Sequence, residues 1–301
     1  MAARLGITSI QNASGGGEAI SLYREMLDRG DLTMRVAIAA SIGPGTKPDN
    51  VDRVREWSRD YNGNMLRVKA VKSSWGAWMQ AAYNDMIARC DKAGLQIFTH
   101  AIGDGAVRMA LDGYANMFRV NGEHDARPRV EHIETIAAAD IPRFAALRVL
   151  ASMMPIHADP GTSAVWGKAI GPDRVSRGFP WRSIERTGAR LVFSSDWPAT
   201  ISTDPIRGLY CAVTRQTVGG QPPGGGVASE KVSLETAIRA YTAGGAYASF
   251  QEKEKGIIAP GMLADLVVLS RDLFRTPPAE VYATHVMMTV AGGRTVFKAL
   301  E

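Results

Sequence analysis

No run of apolar residues in this 301-residue chain approaches the roughly 18 that a membrane-spanning helix needs. The amino terminus, MAARLGITSIQ, lacks an apolar stretch long enough for a signal peptide. Cysteine is scarce: Cys90 and Cys211 are the two present, and neither has a CxxC partner. That excludes a disulfide scaffold and predicts reduced core thiols in a reducing, cytoplasmic compartment. Neither charge sign dominates, with 35 Lys plus Arg against 30 Asp plus Glu for a net +5. The signs interleave, as in Asp49, Asp52, Arg53, Arg55, Glu56, Arg59, Asp60, which reads as a solvated helix face. A nucleic-acid binder would gather its excess on one face, so no polyanion partner and no membrane partner is expected. The remaining composition, 46% hydrophobic and 22% charged, is that of an ordinary globular chain, one large domain with at most a small appendage.

Apolar, β-branched runs alternate with helix-period segments along most of the length. Strands are predicted at 6–11, 34–41, 66–72, 95–100, 129–133, 147–156 and 190–196. Amphipathic stretches such as EAISLYREMLDRG and GAVRMALDGYANMF lie between them. Repetition of strand, helix, strand predicts an α/β architecture with a parallel sheet. The count suggests a (β/α)8 TIM-type barrel short of one strand. A doubly wound sheet is the alternative, but Gly15-Gly16-Gly17 lacks the GxGxxG spacing of its phosphate loop. The Gly- and Pro-dense stretch 217–230 is a loop, and Ser233 is the expected N-cap of a helix running to about Gln251. The tail reads as a β appendage: a strand at 265–270, then two strands over 286–298 joined at Gly292-Gly293. The expected division is a barrel over 1–251 and a small β appendage over 252–301.

Catalytic groups of such a barrel gather at the carboxyl ends of its strands. LQIFTH ends in His100, RVEH in His132, ASMMPIH in His157, LVFSSD in Asp196 and LRVKAVK in Lys72. About eight strand-end positions would catch roughly 0.13 of five randomly placed histidines, yet three of the five lie there. The other two, His124 and His285, read as surface residues. Each member alone has a structural explanation: a hydrogen-bonded buried imidazole, a turn-capping aspartate, a lysine snorkelling to solvent. Together, imidazoles with carboxylate oxygen suit zinc or another borderline divalent metal.

HAIGD (100–104), RVEH (129–132), SMMPIH (152–157), SSDWP (194–198), AYTAGGAYAS (240–249) and GIIAPGMLADLVVLSRDLF (256–274) resemble the amidohydrolase superfamily. Amidohydrolase family 3, the branch containing N-substituted formamide deformylases, is the most similar, from about Leu5 to Lys298. The resemblance implies a metal-dependent barrel hydrolase acting on C–N bonds of small amide-like substrates through metal-activated water. It implies His100 and His132 as fifth- and sixth-strand metal ligands. Asp196 is implied as the eighth-strand aspartate, both metal contact and general base. Lys72 is implied as a bridging lysine, with Lys69 as the competing candidate, and His157 as a substrate-side histidine. Two departures stand out. Family members begin with a strand ending in His-x-His, absent here, so GITSIQNAS corresponds to the second or third strand. Lys72 also runs directly into SSWGAWMQAAYNDM, where the family has a longer loop. The first departure predicts at most one tightly held metal. It also predicts unpaired strand edges, and hence a homo-oligomer or a preceding segment. A catalytically inactive remnant with a binding or oligomerisation role is the alternative to an enzyme.

Overall fold

The β-branched run RVAIAASI pairs on both of its sides, and a parallel sheet builds outward from it. A computed structural model describes residues 1–74 and 79–300. The loop following Lys72 falls partly on 75–78, outside the described residues. The chain divides into two compact units. One comprises Ser9–His132 and Ala137–Leu150; the other comprises Met1–Thr8, Ile133–Ile136 and Ala151–Glu301.

The first unit carries β1 (Ser9–Gly15), α1 (Gly17–Asp28), β2 (Arg35–Ile42), α2 (Pro48–Asp60), β3 (Leu66–Ser74), α3 (Gln80–Lys92), β4 (Gln96–Ala101), α4 (Asp104–Asn121), β5 (Arg129–His132) and α5 (Ile141–Ala146). Its strands pair in chain order, all parallel. Helix starts follow local chemistry: Pro48 opens α2, where its missing N–H costs nothing, and Asp104 complements the dipole of α4. The buried face of α4 reads Ala106, Val107, Ala110, Leu111, Tyr114, Met117, the period of a helix packed on one side. Gly113 lets α3 approach, since a Cβ there would lie 2.3 Å from the Tyr83 ring.

A chain of buried hydroxyls ties these helices to the sheet. Tyr83 Oη lies 2.6 Å from Thr99 Oγ1, which lies 2.7 Å from Tyr114 Oη, and Tyr114 donates to the Arg129 carbonyl at 2.7 Å. At one edge, His124 Nδ1 sits 3.0 Å from the Gly122 carbonyl and Nε2 2.9 Å from the buried Asp91 carboxylate. His124 and His285 are both exposed, as expected from the sequence.

The second unit carries β6 (Leu150–Met153), whose first residue belongs to the first unit, and then α6 (Pro160–Ile170), α7 (Pro172–Val175) and α8 (Trp181–Glu185). There follow β7 (Leu191–Phe193), α9 (Pro205–Thr214), α10 (Leu234–Tyr241) and α11 (Ala243–Ala248). β6 and β7 are parallel. The tail forms β8 (Leu266–Leu269), β9 (Val286–Ala291) and β10 (Arg294–Lys298), an antiparallel sheet of order β10-β9-β8. Gly292 and Gly293, at φ +57° and +80°, make the two-residue hairpin turn the sequence predicts. The amino-terminal turn Ala2–Leu5 packs on this sheet, its Ala3 carbonyl accepting from Thr289 Oγ1 at 2.7 Å.

The helix expected over 233–251 is two helices. Ser233 caps α10 as predicted, accepting from the Thr236 N–H at 3.0 Å. At Thr242 the backbone leaves the helical region (φ −111°, ψ −85°), and α11 starts in a new direction. The break brings Gly244 against β7, where an added Cβ would sit 2.6 Å from the Leu191 carbonyl oxygen. Both cysteines are buried in helices, Cys90 in α3 and Cys211 in α9, and burial pushes each thiol up to about 12. Among the described residues no helix is long and apolar enough to cross a membrane.

Two tests address the first unit. Thr99→Val keeps the shape but strands the Tyr83 and Tyr114 hydroxyls, so urea unfolding should show a loss of about 1–3 kcal/mol. The His124 proton is held by the Gly122 carbonyl and by Asp91, which raises the ring above its ordinary 6.5. This stabilisation is complete below the unfolded value and lost as pH rises through the folded one. Stability measured across pH 6 to 9 should therefore fall, and the fall should be smaller in His124→Ala.

Candidate active site

Four residues near strand ends, together with one on a strand face, carry the candidate chemistry, and each unit is described by itself. In the first unit a bulge in β3 decides which lysine faces inward. Val68 pairs with Ile38 and Ala70 with Ala39, leaving Lys69 as the extra, exposed residue. Beyond the bulge Ala70 joins Ala39, Phe98 and Ala13 in an apolar cluster. Lys72, two residues on, shares that face, half-buried and level with Phe98 of β4.

Above this floor lies an ion pair. The Arg129 guanidinium donates to the Glu131 carboxylate at 2.7 and 2.8 Å and lies 3.8 Å over the Phe98 ring. It also donates to Gln11 Oε1. Gln11 is on β1 and Arg129 on β5, the two ends of the strand order, so the five strands curl around this contact. Next along the strands is His100, level with Glu131. Strict alternation would turn His132 to the face opposite Glu131. Instead His132 and Ile133 adopt φ of +78° and +54°, and the His132 ring packs edge-on against His100 with centroids 4.3 Å apart.

In the second unit, β6 ends at Met153 and hands over to a tight 3-10 turn, Pro155–Ala158, which carries His157. The predicted strand at 147–156 is thus shorter than its apolar run. Asp196 stands three residues past the end of β7, at φ +60°, in a turn closed by the Ala199 N–H on the Asp196 carbonyl at 2.8 Å. His157 lies between two carboxylates: Nδ1 is 3.2 Å from Glu134 Oε1 and Nε2 is 3.6 Å from Asp196 Oδ2. Glu134 was not singled out in the sequence, where the sole sign is an acidic residue just beyond a strand-end histidine.

A cavity of about 480 Å³ opens beside His157 and Glu134. Its far wall includes Trp166 and Phe179, whose rings lie 5.4 Å apart at 35°. Phe179 is held at φ +52°, its N–H on the Glu134 carbonyl at 2.9 Å. The buried Arg215 donates to the Phe179 and Gly178 carbonyls at 3.1 and 3.0 Å and stacks on Trp181, 4.4 Å from the ring centre. Burial lowers this guanidinium to about 10.

The comparisons with known proteins agree with this arrangement. The amidohydrolase family 3 profile matches residues 1–297, and the chain belongs to that family. Among curated relatives, Protein LONG AFTER FAR-RED 3 of Arabidopsis thaliana is 34% identical over 211 residues, 69% of this chain and 35% of that protein. The N-substituted formamide deformylase of Arthrobacter pascens is 28% identical over 221 residues, 72% of this chain and 39% of that protein. The chain thus spans a little over a third of the length of these relatives. Among solved structures, atrazine chlorohydrolase TrzN from Arthrobacter aurescens TC1 complexed with zinc shares the fold, with TM-score 0.69 and 17% identity. That match covers 98% of this chain and 69% of that one. The donor set here fits a divalent ion: the paired imidazoles of one unit and the imidazole–carboxylate pair of the other are the ligand types borderline metals take.

Arg215 should prove the keystone of the cavity wall. Arg215→Met leaves two buried carbonyls without their donor and should cost about 1–3 kcal/mol in urea unfolding. Arg215→Lys should recover little, because an ammonium lacks the fork that reaches both carbonyls.

Proposed function

We propose that this chain hydrolyses a C–N bond in a small, non-peptide, amide-like molecule with the help of a divalent metal, zinc being the first choice. The observation that carries this reading is the left-handed backbone at His132 and at Asp196, which sets an imidazole and a carboxylate beyond their strands in a member of a hydrolase family. Strain kept at such positions is a mark of functional sites. In this reading the seven parallel strands belong to a (β/α)8 barrel over residues 1–251, with 252–301 as its β appendage.

His100, His132 and Asp196 would hold the metal, joined by Lys72, the half-buried lysine on the inward face, in preference to the exposed Lys69. A divalent ion there lowers the pKa of water and polarises a carbonyl. Asp196 accepts the proton of the attacking water and returns it to the leaving nitrogen, base then acid. A carboxylate 33% exposed can reach both solvent and substrate. His157 binds the substrate, and Glu134 at 3.2 Å fixes its ring orientation. The printed activity of the formamide deformylase relative supports amide-like chemistry, and the zinc-bound fold neighbour supports a metal. One observation favours a second reading, a non-catalytic binding protein: none of the histidines, at 100, 124, 132, 157 and 285, forms a His-x-His pair.

Asp196→Asn decides between them. It preserves shape and turn, and should leave a folded protein whose turnover on an amide and imide panel is at least about 10²-fold lower. Chelation should abolish the wild-type activity and added zinc should restore it. Unchanged turnover in Asp196→Asn removes the assigned role; absence of wild-type turnover across the panel supports the binding protein.

A further inference from the structure

We propose that the cavity beside His157 is a subsite for a neutral aromatic substituent of the substrate, with Trp166 and Phe179 as its determinants. The proposal rests on the hydrolase reading only in taking the occupant to be part of the substrate.

The cavity has two ends of different chemistry. At one end stand Glu134 and His157, adjacent to the candidate base. At the other, Trp166 and Phe179 form a wedge opened by 35°, with Ile156, Pro198 and Ile201 around it. A flat ring entering this wedge meets aromatic surface in offset or edge contact, the geometries that aromatic pairs prefer. Its volume of about 480 Å³ accommodates a bicyclic or substituted ring.

Phe179 is built into this position rather than merely packed there. An apolar wall needs only a leucine or valine in ordinary backbone. Here a phenylalanine occupies the left-handed region, at a cost of roughly 1–2 kcal/mol. Three hydrogen bonds, one to the Glu134 carbonyl and two from Arg215, hold it there. The same segment keeps Trp166 in register: a side chain at Gly178 would come within 3.1 Å of the Trp166 ring.

The occupant is neutral for two reasons. Among the described residues lining the cavity none is Lys or Arg, so an anion finds no counter-charge. A cation is disfavoured as well. Arg215 already places its positive charge 5.5 Å from the Phe179 ring centre, and the Glu134 carboxylate is engaged by His157.

Calorimetric titration of the full chain with three probes tests this: N-benzylacetamide, N-butylacetamide and N-(2-trimethylammonioethyl)acetamide. The benzyl probe should bind about 5- to 10-fold tighter than the butyl probe, the range one aromatic contact confers. Trp166→Ala should remove that preference while changing butyl affinity less than about twofold. Trp166→Leu, which keeps apolar volume should the alanine variant collapse, should remove it too. Equal binding of benzyl and butyl probes, tighter binding of the cationic probe, or a preference that survives both variants would overturn the proposal. Because binding is read without turnover, the two readings separate. An aromatic preference in a protein with no hydrolysis leaves the subsite standing and removes the enzyme. Hydrolysis with no preference does the reverse.

Discussion

Left-handed backbone at non-glycine residues is the constraint on which the candidate site depends. A β-strand sends successive side chains to opposite faces, so a strand running straight to its end offers the mouth every second residue only. His132, Ile133, Phe179, Asp196 and Arg215 all lie at φ between +52° and +78°. Each such conformation costs a side-chain-bearing residue roughly 1–2 kcal/mol. The surrounding bonds over-determine them: the Glu134 carbonyl holds Phe179, and the Ala199 N–H holds the Asp196 turn. The result is that residues one position out of phase, His132 above all, contribute to the same surface as their in-phase neighbours.

The inward face of the first unit is arranged in levels along the strands. Small side chains, Ala13, Ala39 and Ala70, leave room for Phe98 at the base. The Arg129–Glu131 pair sits above, almost wholly buried, and the histidines follow. A buried ion pair is a weak source of stability, because desolvation offsets much of its attraction. Its value here is geometric. Arg129 contacts β1 through Gln11, the ring of Phe98 and its own strand neighbour, and so fixes the curl that sets His100 and His132 side by side.

Much of this was legible in the sequence. All the predicted parallel strands are present, because β-branched runs bounded by turn residues carry a strong signal. The tail hairpin followed from Gly292-Gly293, and the candidate residues His100, His132, His157 and Asp196 lie at or just beyond strand ends. What the sequence hid lies in backbone geometry rather than composition. Nothing in AVKSS reveals that a bulge expels Lys69 and turns Lys72 inward, and nothing in YTAGG marks the break at Thr242, which exists so that Gly244 can approach β7. Glu134, Trp166, Phe179 and Arg215 were missed for a related reason: they are separated by up to 81 positions, and only folding brings them around one cavity.

The docking of the amino-terminal turn has a consequence for biosynthesis. Ala3 accepts from Thr289, and Gly6, at φ +75°, packs where a Cβ would lie 2.8 Å from Val267. These partners are among the last residues to be translated. The unit made of Ser9–His132 and Ala137–Leu150 has all its residues once half of the chain has emerged. The segment Met1–Thr8, emerging first, must wait for the final hairpin before it finds its place. Vectorial synthesis therefore cannot complete the second unit in order from the amino terminus, and that unit closes only when both ends of this chain are free to meet.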